Sequence, residues 1–154
     1  MRDPRYSTSS LFQAGDDGYA IYRIPGIVVS AAGTVLACCE ARAEARGDWG
    51  RIDVLLRRSV DGGDTFSPPL RMNRSPEPVG RNPAAVEHGL GENGQACGNP
   101  VLIADRAPGV VHFLYCVEYM RCFYRVSRDD GLNWSEPVEI TPALEALQAR
   151  YPWR

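Results

Sequence analysis

Apolar positions along the chain come in short runs separated by clusters of Gly, Asp, Asn and Pro, the pattern of strands joined by turns. Ile21 to Val29 is the first substantial run. Pro25 lies inside it and points to an edge or a bulge, because proline cannot donate to a strand ladder. Ala31-Ala-Gly33 predicts a hairpin turn and Thr34 to Glu40 the returning strand. A polar loop over Ala41 to Arg51 follows, then a third strand, Ile52 to Arg58, and a fourth, Phe66 to Met72. Ahead of this set, residues 1–10 read as an irregular arm, Leu11 to Ala14 as a short strand and Asp16-Asp-Gly18 as a turn.

The plan then repeats. Asn73 to Asn93 is a long connection with several Pro and Gly and no periodicity. Val101 to Ala104 and Val110 to Val117 predict a strand pair around Asp105-Arg-Ala-Pro-Gly109. Cys122 to Ser127 is the third strand of this second set and Pro137 to Ile140 the fourth. A short helix closes the chain over Ala143 to Arg150, with Thr141 as N-cap and Pro142 in its first turn, before Tyr151-Pro-Trp-Arg.

The two sets share a turn of unusual composition. Ser59-Val-Asp61-Gly-Gly63-Asp-Thr65-Phe66 follows the third strand of the first, and Ser127-Arg-Asp129-Asp-Gly131-Leu-Asn133-Trp134 that of the second. Asp and Thr satisfy backbone groups locally, Gly permits positive φ, and the aromatic pins the turn to the core. This octet resembles the Asp-box of sialidases and related β-propellers, and Tyr22-Arg-Ile-Pro25 resembles the sialidase Arg-Ile-Pro motif. Arg-Ile-Pro, Glu-x-Arg, an Asp-bearing loop and an Asp-box occur here in that order, over nearly the whole chain.

The resemblance implies an all-β, six-bladed propeller, of which about the first two blades are present. Blade 1 covers about 20–72, the connection 73–96, blade 2 about 97–140 and the helix 142–150. The chain is accordingly read as the N-terminal part of a larger propeller, truncated at Arg154; a complete small β-sandwich is the alternative.

Composition narrows the function classes. Hydrophobic residues at 44% and charged residues at 23% are globular values, so disorder is not the default. A net charge of −2 gives no basic field for nucleic acid. Arginine outnumbers lysine, which suits carboxylate recognition. No run is long and apolar enough to span a bilayer. The polar start lacks the apolar core of a secretory signal, so a cytoplasmic location is expected. The five cysteines show no metal spacing, His88 and His112 have no partner pattern, and no metal or cofactor is expected. Free buried thiols are the reading for the cysteines, with Cys116 and Cys122 placed to face each other across a hairpin.

Sialic acid carries a permanently ionised carboxylate, and guanidinium groups bind such an anion bidentately. By resemblance, Arg23 matches the first arginine of the family's carboxylate-binding triad, and Arg42 the Glu-x-Arg arginine beside a ring hydroxyl. Asp48 matches the acid/base aspartate, with Glu44 and Asp53 as neighbouring carboxylates to weigh against it. Asn99 matches a position that faces the substrate, although an Asn opening a turn before Pro100 explains it nearly as well. The implied nucleophilic tyrosine, its glutamate and two further arginines belong to later blades of the family, and no residue here is assigned to them. The implied activity is exo-α-sialidase action on glycoproteins, glycolipids and oligosaccharides, with sialylated glycans as partners. The rival is a non-catalytic Asp-box propeller that binds glycans or proteins.

Overall fold

The computed structural model describes residues 6, 8–73 and 75–150, with side chains through residue 146. Much of the expected N-terminal arm (residues 1–5 and 7) and the closing residues 151–154 lie outside the described residues. Among the described residues, eight strands fall into two antiparallel sheets of four. The first holds β1 (Ile21–Val29), β2 (Val35–Arg42), β3 (Ile52–Ser59) and β4 (Leu70–Arg71), in that order. After helix α1 (Pro83–Glu87) the second holds β5 (Cys97–Ala104), β6 (Val111–Val117), β7 (Arg121–Ser127) and β8 (Val138–Glu139), followed by helix α2 (Thr141–Arg150).

The core lies between the sheets. Leu36, Cys38, Val54, Leu56 and Met72 of the first sheet meet Leu102, Val111, Phe113, Tyr115, Val117 and Phe123 of the second in one buried cluster. Alternation along each strand sends these residues to the shared face. Polar latches cross the same interface. Arg58 Nε donates to Asp130 O at 2.6 Å, and the buried Arg125 donates from Nη1 to Met72 O at 3.0 Å.

Each Asp-box is closed by the same bonds. Ser59 Oγ donates to Asp61 Oδ1 at 2.7 Å and accepts from Gly63 N at 2.9 Å, while Asp61 takes the Thr65 N–H and hydroxyl at 2.9 and 2.5 Å. Ser127, Asp129 and Gly131 repeat this, and Asn133 donates its N–H and its amide to Asp129 at 2.8 and 2.7 Å in place of the threonine. Trp134 packs edge-on against Phe113, with ring centroids 5.8 Å apart.

Several elements differ from expectation. Leu11 to Ala14 forms bends and a turn rather than a strand, because Phe12 packs on Tyr22 and under Arg57 instead of pairing. The fourth strands shrink to two residues each, since Pro68, Pro69 and Pro137 have no N–H to offer a ladder. The long connection contains α1, whose N-cap Asn82 accepts from Ala84 N ahead of Pro83, a start signal present in the sequence. Thr141 turns its oxygen across the sheet, where it accepts from Cys122 N at 2.8 Å. All five cysteines are free, although Cys116 and Cys122 are register partners.

The two Asp-box glycines serve different ends. Both adopt positive φ, 99° at Gly63 and 81° at Gly131. A Cβ on Gly63 would meet nothing within 4 Å, whereas one on Gly131 would lie 2.2 Å from Leu36 Cδ2 across the interface. Gly63→Ala is expected to cost about 1–2 kcal/mol of left-handed strain alone. Gly131→Ala is expected to cost clearly more, as urea denaturation of the two variants side by side would show.

Candidate functional site

The site begins at a distortion that both sheets carry. In β1 the register shifts between Arg23 and Gly26, and in β5 between Gly98 and Val101. At each shift a residue with φ near 53° precedes a proline, Ile24 before Pro25 and Asn99 before Pro100. A β-branched residue at positive φ is an outlier, and such strain persists only where the surroundings enforce it. Asn99 therefore lies inside a strand at the bulge equivalent to Ile24, not in a turn ahead of the strand.

Glu40 joins the two bulges. It is 1% exposed, on β2 opposite Arg23. Its Oε2 accepts from Arg42 Nε at 3.0 Å and Nη2 at 2.5 Å, and its Oε1 accepts from Asn99 N at 2.8 Å in the other sheet. Gly98 makes this approach feasible, because a Cβ there would lie 2.5 Å from Glu40 Oε1.

Arg42, 4% exposed, spends its remaining donors on the β2–β3 loop: Nη1 donates to Gly47 O at 2.7 Å and to Asp48 Oδ1 at 2.6 Å. Arg23, half-exposed, reaches the same Asp48 oxygen at 3.4 Å. Asp48 itself is 63% exposed. The hydrogen bond from Arg42, and then the charges of Arg42 and Arg23, hold its carboxyl below the ordinary aspartate range.

The neighbouring carboxylates are placed otherwise. Asp53 is 1% exposed and accepts from Tyr19 Oη at 2.6 Å and Asn73 Nδ2 at 2.9 Å, with Arg51 and Arg71 as ion partners. Burial alone would raise its pKa, but the hydrogen bonds from Tyr19 and Asn73 and the two cations outweigh burial and lower it. Glu44 accepts from Asn93 Nδ2 at 3.0 Å, away from both arginines of the site. The structure thus gathers Arg23, Arg42 and Asp48 in direct contact and ties Asn99 to them through Glu40. Asn99 also lines a cavity of about 320 Å³ with Leu114, Cys116, Tyr119 and Cys122. A wider cleft of about 520 Å³ opens elsewhere, between Phe12 and β1, with Arg23 on its wall. Among the described residues, no group of three or more His, Cys, Asp and Glu could hold a metal ion, and no helix is long and apolar enough to cross a membrane.

No family model matches the chain. A sialidase of Bacteroides fragilis is 30% identical, over 86% of this chain and 26% of that protein. A sialidase of Micromonospora viridifaciens is 36% identical, over 97% of this chain and 26% of that protein. The solved structure of the Hadza microbial sialidase Hz136 superposes with a TM-score of 0.64 at 26% identity, over 84% of this chain and 28% of that one. This chain belongs to the sialidase family. It spans about a quarter of the length of the curated relatives it matches. Its two sheets are two blades of a sialidase-like propeller, and they do not close on themselves.

Two residues of this cluster do more than their motifs announce. Glu40 is the first residue of the Glu-x-Arg motif, but only its burial and its bond to Asn99 N show that it is the hub. Tyr119 sits in the second blade, yet its hydroxyl donates to Asp48 O at 2.8 Å. Breaking the buried Glu40–Arg42 pair from one side is expected to cost about 3–5 kcal/mol. In a double-mutant cycle followed by urea denaturation, Glu40→Ala and Arg42→Ala should each show that loss. The double variant should fall well short of the sum.

Proposed function

We propose that the protein acts as an exo-α-sialidase on sialylated glycoconjugates, with Asp48 as acid and then base, Arg23 on the substrate carboxylate, and Arg42 and Asn99 toward ring substituents. The observation that carries this reading is the convergence of Arg23 and Arg42 on one oxygen of an exposed Asp48. Sialidases depart from the two-carboxylate scheme by using a tyrosine nucleophile, and no residue of this chain is given that role. What these residues supply is the proton for the leaving oxygen and part of the anion clamp.

An acid must start protonated, and the unliganded site favours ionised Asp48. Substrate supplies the correction. Its carboxylate competes for Arg23, whose contact with Asp48 is the longer one at 3.4 Å. Asp48 then loses one cation and gains an anionic neighbour, and both changes raise its pKa. The standing negative charge of Asp48 also favours the rival reading, a propeller that binds glycans without cleaving them. Turnover by the complete gene product decides between the two.

General acid catalysis contributes roughly 10²–10⁴-fold, and only where the leaving oxygen is a poor one. Asp48→Ala should lose on that order against a sialyl-lactose and far less against an aryl sialoside whose phenolate departs unaided. Arg23→Ala should impair both substrates alike, by roughly ten- to a hundredfold, the effect of one charge-assisted bond. Equal losses on both substrates for Asp48→Ala would remove it as the acid. The pH dependence carries the same sign. Activity on sialyl-lactose should fall as pH rises through the pKa of Asp48 in the complex, and that limb should be missing from the aryl profile.

A further inference from the structure

Asp48 sits on a loop of the first blade, where Arg42 holds the Gly47 carbonyl, but the carbonyl of Asp48 itself is held from the second. The β6–β7 connection turns through Glu118 and Tyr119, both at positive φ, 54° and 52°. Neither is a residue that chooses that conformation, so the turn is held by its contacts. Glu118 supplies them. It is 3% exposed, and its carboxylate accepts from Ala96 N at 2.8 Å and from Asn82 N at 3.0 Å. Its own carbonyl accepts from Asn82 Nδ2 at 2.8 Å. The turn is thereby fastened to the interblade connection and to the start of β5.

From this anchored turn Tyr119 reaches back across the interface. Its hydroxyl donates to the Asp48 carbonyl at 2.8 Å, and its ring meets Trp49 edge-on, centroids 5.0 Å apart. Burial, with Glu40 close by, pushes its phenol up to about 12, so it keeps the proton that the bond needs. The side chain of Asp48, in contrast, is held among the described residues by the two arginines alone and is mostly exposed.

We infer that Tyr119 is a positioning residue for Asp48: the second blade, rooted through Glu118, fixes the acid's backbone while its carboxyl stays free to exchange partners. This rests on the reading of Asp48 as the acid. Catalytic geometry tolerates little displacement, and an error of about 1 Å can cost on the order of 10²-fold. A loop that must hold position while its carboxylate gives up Arg23 needs a restraint that does not involve the carboxylate. The Tyr119 bond to the carbonyl is such a restraint.

Tyr119→Phe in the complete gene product isolates the hydroxyl, because the ring remains against Trp49. Amide hydrogen exchange should quicken between Gly47 and Arg51, with the melting temperature little changed. The kcat on a sialyl-lactose should fall roughly three- to tenfold, the effect of one neutral hydrogen bond, with KM near its original value. The aryl sialoside should be affected much less. Asp48→Ala is measured beside it. If Asp48→Ala is selective for the natural substrate and Tyr119→Phe impairs both substrates equally or neither, the positioning role is overturned. If Asp48→Ala shows no selectivity, the acid assignment fails on its own, and the exchange rates alone judge the restraint. Unchanged exchange in that loop overturns it in either case.

Discussion

A carboxylate taken out of water must be paired or it is prohibitively costly, and Glu40 meets that demand with partners from both blades. Arg42 satisfies one oxygen and the Asn99 N–H the other. This single requirement accounts for much around it. Arg42 cannot swing out, because leaving Glu40 would strand a buried charge. Gly98 must lack a side chain for the carboxylate to reach Asn99. Asn99 must hold its N–H toward Glu40, which matches its left-handed backbone at the β5 bulge. The bonds of Glu40 therefore serve the blade interface and the site at once.

Neither blade could bury its strands alone. The cluster of Leu36, Val54 and Leu56 with Phe113, Tyr115 and Phe123 is shared, so each sheet serves as the other's core. The repeated Asp-boxes are near copies of each other in their bonds, yet their glycines diverge in use. Gly131 admits Leu36 of the neighbouring blade, whereas Gly63 has open space around it. A repeat of local bonding thus coexists with position-dependent packing, as expected where each unit contacts a different neighbour.

Much of this was legible in the chain. Alternating apolar runs and the Ser-x-Asp-x-Gly turns carry local information, and they located the long strands and both Asp-boxes. Pro25 gave away the β1 bulge, because a missing N–H has one consequence in a ladder. The same logic applied to Asn99-Pro100 would have placed Asn99 on the matching bulge. The turn propensity of Asn-Pro hid that equivalence. Phe12 reads as strand because it is aromatic, but its partners, Tyr22 and Arg57, are distant in sequence. Glu40 and Tyr119 are harder still. Glu-x-Arg announces the pairing of Glu40 with Arg42, but the contacts that cross the blades span 59 and 71 positions of the chain, and nothing in the local sequence announces those.

The two arginines that meet Asp48 are unequal, and the inequality has a physical basis. Arg42 is 4% exposed, bound to Glu40, to the Gly47 carbonyl and to Asp48, so an arriving anion would have to displace bonds that are screened from water. Arg23 is half-exposed and makes one long contact to Asp48, which solvent weakens. A ligand carboxylate can therefore recruit Arg23 without disturbing Arg42. Had both guanidinium groups been buried, Asp48 would have stayed locked as a counter-ion. Had both been exposed, nothing would orient the loop. One fixed and one exchangeable cation, on a loop whose backbone is held from the next blade, leaves the Asp48 proton affinity responsive to what binds while its position is not.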